Sequence, residues 1–246
     1  MSTETLIYFT SIALLAEILG TVGGFGSSLF FVPFAAYFLD FHTVLGITAV
    51  FHVTSNLSKI ALFKKGINKQ LLIYLGLPAI ITVIVGAWCS QYLQTKWLEI
   101  ILAAFLIVIS VSLMIWSNFS IKPNKINSSI GGIVSGLLAG LLGTGGAVRG
   151  VTMAAYNLSI ESFIATSSAI DLGIDISRSA VYLWNGYLQK SNLYLILILA
   201  VVSIVGTYIG KKILQHFSQV QFKNFVLVLI LGTGVYTLLK FIFIYE

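Results

Sequence analysis

Charge is what this sequence has least of. Of its 246 residues 9% are charged and 58% hydrophobic, where a soluble domain carries roughly 25% charged residues, and its mean hydropathy is +0.99. A water-soluble globule is excluded. Cysteine occurs once, as Cys89 inside an apolar run, which rules out a disulfide framework and a cysteine metal site. The histidines His42, His52 and His216 show no ligand spacing, so neither a metal nor a cofactor is expected. No G-x-x-x-x-G-K-[ST] run occurs, which argues against direct nucleotide hydrolysis. Period-two alternation is missing, and the apolar runs outlast the ~10-residue strands of outer-membrane barrels. Helices remain, and the fold class expected is an all-α polytopic membrane protein. Met1 to Gly20 has no basic leading region and carries Glu4 and Glu17, so it reads as a retained helix rather than a cleaved signal. The net charge of +6 does not point to nucleic acid, because the lysines lie in short loops beside apolar spans, as in loops apposed to anionic lipid. The partners expected are the bilayer and a small solute; a homodimer is left open.

What is present is glycine, in two telling places. Gly23-Gly24-Phe25-Gly26-Ser27-Ser28 interrupts one long apolar stretch, and Leu142-Gly143-Thr144-Gly145-Gly146 interrupts another 119 residues later. Irregular backbone at membrane depth is tolerated only where protein or a wet cavity satisfies its polar groups. Paired breaks in two halves are the best sequence pointer to a transporter's binding site. The order is Thr5–Thr21 with Ser27–Leu39, then Thr43–Phe63, Leu71–Leu93 (broken in register by Pro78) and Trp97–Trp116. A polar linker, 118–129, leads to Ile130–Leu142 with Gly146–Leu158, then Ser162–Trp184, Leu193–Leu214 and Phe222–Ile244. Two repeats, 1–117 and 130–246, are therefore expected to form one transport domain. Ala35-Ala36-Tyr37-x-Leu39 recurs as Ala154-Ala155-Tyr156-x-Leu158 at the same offset as the glycines, and Gly86 matches Gly206.

If each interrupted unit enters and returns, three crossings remain per half and the repeats are inverted; if it spans, they are parallel. The inverted arrangement puts Lys64, Lys65, Lys69, Lys122, Lys125, Lys211, Lys212 and Lys223 on one side, against Lys96 and Lys190, with Lys240 near the end. The positive-inside rule favours it, with the linker cytoplasmic and both termini outside. The expected membrane is the cytoplasmic one.

Ionisable residues inside spans are expensive and count as functional candidates. Asp171, Asp175 and Arg178 fall on one helix face, and the same register in the first half holds His52, Asn56 and Lys59. Substrate or coupling duty and structural pairing within the helix both remain open for the Asp171–Arg178 stripe. For Lys59, snorkelling to the Lys64–Lys65 interface is expected. Arg149 follows the second break, and with Arg178 it completes the chain's arginines. A guanidinium fork matches oxyanions two bonds at a time. Glu17 is either a proton carrier or a neutral buried acid. Hydroxyls cluster near the breaks and stripes at Ser27, Ser28, Thr48, Thr54, Ser55, Thr144, Ser167 and Ser168. Trp88, Trp97, Trp116 and Trp184 mark segment ends, where an interfacial belt explains them. The anion site expected comprises Gly24, Phe25, Gly26, Ser27, Ser28, Gly143, Thr144, Gly145, Gly146 and Arg149. Coupling or gating falls to Glu17, His52, Asn56, Asp171, Asp175 and Arg178.

The run Gly20-x-x-Gly23-Gly24-Phe25-Gly26-Ser27-Ser28-Leu29-x-x-x-Pro33, with Gly140-Leu141-Leu142-Gly143-Thr144-Gly145-Gly146 as its repeat partner, resembles the signature of the sulfite exporter TauE/SafE family over nearly the whole chain. That resemblance implies an inner-membrane permease exporting sulfite or a sulfonate such as sulfoacetate. Thr152 stands where the first half has Pro33, so the second break is expected to bend differently. Two other readings compete with this one. The same fold could carry a cation or neutral metabolite, which Asp171 and Asp175 make thinkable. An intramembrane enzyme using His52 and Ser55 lacks any orienting partner or accompanying motif.

Overall fold

The prolonged apolar runs leave the backbone no partner but itself, and in a computed structural model they fold into helices, with no strand among the described residues. Those residues are 1–24, 26–63, 66–115, 122–214, 228, 231–232 and 234–239. Phe25, Lys64, Lys65, Trp116, His216, Lys223, Lys240 and most of Phe222–Ile244 lie outside them. The helices are α1 (Thr3–Gly23), α2 (Ser28–Ala35), α3 (Phe41–Leu62), α4 (Lys69–Ser90), α5 (Thr95–Ile115), α6 (Lys125–Leu142), α7 (Gly146–Ala154), α8 (Ile160–Trp184) and α9 (Leu193–Leu214). Six helical segments among the described residues are long and apolar enough to cross a membrane. The 25-residue α8 is not one of them, because Asp171, Asp175 and Arg178 interrupt its apolar run.

Local chemistry sets the boundaries. Ser2, Asp40, Asn68, Asn124 and Ser159 cap α1, α3, α4, α6 and α8, each side-chain oxygen accepting an N–H of the first turn, as short polar side chains do. The cap at Asn124 starts α6 well before the end of the linker expected over 118–129. Polar residues of that stretch therefore form the first turn of a helix. Pro78 does not break α4. A π turn over Leu72–Gly76 precedes it, and the wider turn absorbs the clash and missing N–H that proline imposes on a regular helix.

Both glycine stretches end a helix. Gly24 and Gly143 take φ +70 and +77, the left-handed conformation that terminates helices at little cost only for glycine. The chain then turns back. Phe31 of α2, and Phe38 beyond it, both meet the ring of Phe9 on α1, at 5.5 and 5.8 Å. In the second half the Tyr156 hydroxyl lies 2.7 Å from Ser128 Oγ near the start of α6.

Helix packing follows the same duplication. Along α4 and α6, Gly132 seats against Leu75, Gly136 against Ala79 and Gly140 against Val83, so the two run in the same direction. Along α1 and α9, Gly206 seats against Glu17 and Gly210 against Thr21, again in one direction. Each leading helix thus packs on the fourth helix of the other half, through small residues that let backbones approach. α3 and α8 pack on each other between these pairs. One end of the molecule gathers the loop after α3: Lys211 Nζ donates to Leu62 O at 2.8 Å, and Asn68 N to Thr166 Oγ1 at 3.0 Å. Lys125 Nζ sits 4.9 Å over the ring of Tyr74 at the same end. At the opposite end His42 bonds the Ser90 carbonyl at 3.2 Å, and Tyr187 the Ser90 hydroxyl at 2.9 Å. The largest buried apolar cluster includes Phe9, Phe31, Phe41, Phe51 and Tyr182.

Candidate functional site

The two breaks meet. Ser28 Oγ, at the start of α2, donates to Thr144 Oγ1 of the second break at 3.3 Å. Neither α2 nor α7 has a side-chain cap, so their leading amides, which have no acceptor within their own helix, are left for other partners. Both helix starts border one small polar cavity, with Ser27, Ser28, His52, Asn56, Lys59, Arg149, Asp171, Asp175 and Arg178 in its wall. A second cavity, lined by Thr21, Gly24, Ile164, Ser167 and Ser168, shares Gly26, Asn56, Lys59 and Asp171 with the first.

Three ion pairs frame this space, and all are largely buried. Arg149 Nη2 lies 2.6 Å from Asp171 Oδ2, with Arg149 Nε 3.3 Å from Ser167 Oγ. Arg149 Nη1 has no hydrogen-bond partner among the described residues. Arg178 donates from Nε to Asp175 Oδ1 at 2.7 Å. Its Nη1 reaches the carbonyls of Ala139 and Gly143 at 3.2 and 2.9 Å. It thereby stitches α8 to the exposed carbonyl end of α6, where a helix carries partial negative charge. Lys59 Nζ lies 2.9 Å from Glu17 Oε1 and donates to Ser55 Oγ at 2.8 Å.

That last contact corrects the expectation for Lys59. It does not snorkel; at 6% exposure it points inward to a carboxylate. The repeat carries the signal, since Lys59 aligns with Arg178 and both reach from the central helix of their half to its leading helix. Glu17, fully buried, accepts from Ser27, Ser55, Thr21 and Thr207 as well as Lys59. A shell made entirely of hydroxyls and an ammonium suits an ionised carboxylate.

His52 joins the two halves. Arg178 Nη2 can only donate, so His52 Nδ1, 3.2 Å away, accepts. The imidazole proton then sits on Nε2 and is given to Ser27 Oγ at 2.9 Å, while Ser27 Oγ donates to Glu17 Oε2 at 2.7 Å. One directed relay thus runs from the second-half arginine through the first break to the first-half carboxylate. His52 and Ser55 share no hydrogen bond among the described residues; His52 bonds Ser27 instead. Asn56 Nδ2 donates to Asp175 Oδ2 at 2.7 Å. These two residues are 119 apart, the offset of the repeat itself.

Of the residues expected at the site, Gly26, Ser27, Ser28, Gly143, Gly145, Gly146, Arg149, His52, Asn56, Asp171, Asp175 and Arg178 border the first cavity. Gly24 borders the second. Thr144 touches the site through Ser28, Glu17 through Ser27 and Lys59, and Phe25 lies outside the described residues. Thr207 is the member of the polar network that sequence reasoning missed; Lys59 and Ser55 lie on the expected polar face, and their contact with Glu17 is what the structure adds. Thr152, in place of Pro33, gives its hydroxyl to the Val148 carbonyl at 2.9 Å and sits within α7 as Pro33 sits within α2.

Broken helices meeting at a polar, ion-paired cavity inside a bundle of membrane-length helices define a polytopic membrane transport protein. The sequence profile described as Sulfite exporter TauE/SafE matches residues 9–237, and the chain belongs to that transporter family. No curated protein and no solved structure matches it.

Proposed function

We propose that this chain is a secondary carrier that exports a small sulfur oxyanion, sulfite or a sulfonate such as sulfoacetate, by alternating access around the cavity where the two breaks meet. The observation that carries the reading is the convergence of two uncapped helix starts on a cavity that also holds Arg149, whose Nη1 has no hydrogen-bond partner among the described residues. Helix N-termini and a guanidinium fork both favour oxyanions. The family supplies the sulfur chemistry.

The alternating part of the proposal takes the two halves as inverted repeats, and the helix packing supports that arrangement. α1 and α9 run together, α4 and α6 run together, and α2 and α7 each fold back along their leading helix. The three crossings α3, α4 and α5 that follow then set α1 and α6 in opposite senses. The end bearing Lys125 and Lys211 is the cytoplasmic one by the positive-inside rule, with both chain ends outside and the cytoplasmic membrane as the site of action. The second cavity adds Ile164, Ser167 and Ser168, on the part of α8 nearer that end, to the polar lining. An inside-negative potential expels negative charge by about 2.3 kcal/mol per charge per 100 mV, and the charge moved per cycle decides how much of that drives export.

The test is flux of labelled sulfite and sulfoacetate in proteoliposomes. Uptake or efflux above protein-free vesicles is expected, with loss of about tenfold or more in Arg149→Gln, since a bond to a charged group contributes about 1.5–3 kcal/mol. Absence of flux for either anion, or full flux in Arg149→Gln, would refute the proposal.

A further inference from the structure

The cavity is already neutral before any anion arrives: Lys59, Arg149 and Arg178 are matched one for one by Glu17, Asp171 and Asp175. An added anion would leave an uncompensated buried charge, which is strongly unfavourable. Resting on the anion-carrier reading above, we infer that the site takes each anion together with one proton, and that Asp171 is the group that holds it.

Geometry singles out Asp171. Glu17 has both oxygens filled by donors and no exposure. Asp175 uses Oδ1 for Arg178 and Oδ2 for Asn56, and its side chain is 4% exposed. Asp171 is bonded through Oδ2 alone, to Arg149 at 2.6 Å and more weakly to Ser167 at 3.5 Å. Its Oδ1 has no partner among the described residues, its side chain is 18% exposed, and it lines both cavities. A proton from water on the lysine-rich side can therefore settle on Oδ1 without breaking an existing bond. The neutral acid holds Arg149 less tightly, and the guanidinium turns its N–H groups to the anion. When the anion leaves, Arg149 returns to Asp171 and the proton is released to the side that received the cargo.

The charged and titratable groups facing Asp171 fit this cycle. Arg149 comes from α7, Lys59 and His52 from α3, and Asp175 and Arg178 from α8 itself. The walls given by α1, α2 and α6 are glycine, serine, threonine and alanine. Lys59 and Arg178 stay committed to Glu17 and Asp175. His52 keeps Nδ1 as an acceptor for Arg178. Arg149 is the cation that can change partner.

The experiment uses the full chain in proteoliposomes, with methanesulfonate as cargo because its charge is fixed, under a clamped potential and with a pH dye in the lumen. Wild type is expected to move about one proton per sulfonate and to show flux insensitive to the imposed potential. Asp171→Asn should still carry the sulfonate, without the proton and now driven by the potential. Sulfonate flux with no proton in wild type would overturn the coupling while leaving the anion carrier standing. Proton movement surviving in Asp171→Asn would overturn the choice of Asp171. If Asp171→Asn does not fold, the wild-type count still decides the coupling. Asp171→Glu should then keep the proton, and its losing the proton would count against the assignment. Should methanesulfonate not be carried, the same count is made with sulfite at alkaline pH. No flux of any of these anions would sink the carrier reading instead.

Discussion

Replacing Lys59 by Met removes one charge from a place where the charge cannot be rehydrated. Lys59 Nζ sits 2.9 Å from Glu17 Oε1, with side-chain exposures of 8% and 0%. At an effective dielectric constant near 20 the attraction at that separation is about 6 kcal/mol, most of it offset by the cost of desolvating both ions. Removing one partner of a buried pair strands the other and costs about 3–5 kcal/mol. Glu17 keeps four hydroxyl donors, which places Lys59→Met at the low end, near 3 kcal/mol by the same range. Glu17→Gln leaves the buried ammonium facing a neutral amide without a countercharge and should cost a similar amount. The double variant carries no stranded charge and should lose no more than either single change. The coupling energy is then about 3 kcal/mol, the upper end for interacting neighbours. Reversible unfolding of the four proteins in mixed micelles by a denaturing detergent measures the cycle. Single costs that add to within about 0.5 kcal/mol, or a neutral Lys59→Met, would refute the inward pair and return Lys59 to the interface.

Two further changes probe the duplication. A Cβ on Gly145 would overlap the carbonyl oxygen of Ser135 and lie 3.1 Å from Ala139 Cβ, so Gly145→Ala should cost about 1–3 kcal/mol through overpacking. An unchanged thermal midpoint in detergent would mean that α7 can back away from α6. Asn56→Asp sets two carboxylates at the 2.7 Å contact with Asp175 and should destabilise at neutral pH by about 1–3 kcal/mol as a hydrogen bond becomes a repulsion. The swap Asn56→Asp with Asp175→Asn should restore most of that loss, and failure of the swap to recover any of it would say that the two positions are not equivalent.

Why some of this could be read in advance and some could not comes down to distance along the chain. Helix existence followed from apolar length, and the polar stripe of α8 from spacing within a single helix, both local properties. The Asn56–Asp175 contact was half legible. The shift of 119 paired those positions and let the two polar stripes meet at the repeat axis, but spacing alone does not say which residue bonds which. Pro78 was misjudged because a π turn, which leaves α4 continuous, has no composition of its own. Lys59 was misjudged because nearness to Lys64 and Lys65 outweighed its repeat partner, although Arg178 was already taken to lie inside the membrane. Charge pairing was the least legible. Glu17–Lys59 and Arg149–Asp171 each join different helices, so they exist only once the breaks have turned α2 and α7 back. Without those turns Glu17, Lys59, Arg149 and Asp171 would be unpaired in hydrocarbon, several kcal/mol each. The glycines that open the cavity are therefore also what makes its ionised lining affordable, and one feature explains both the fold and the site.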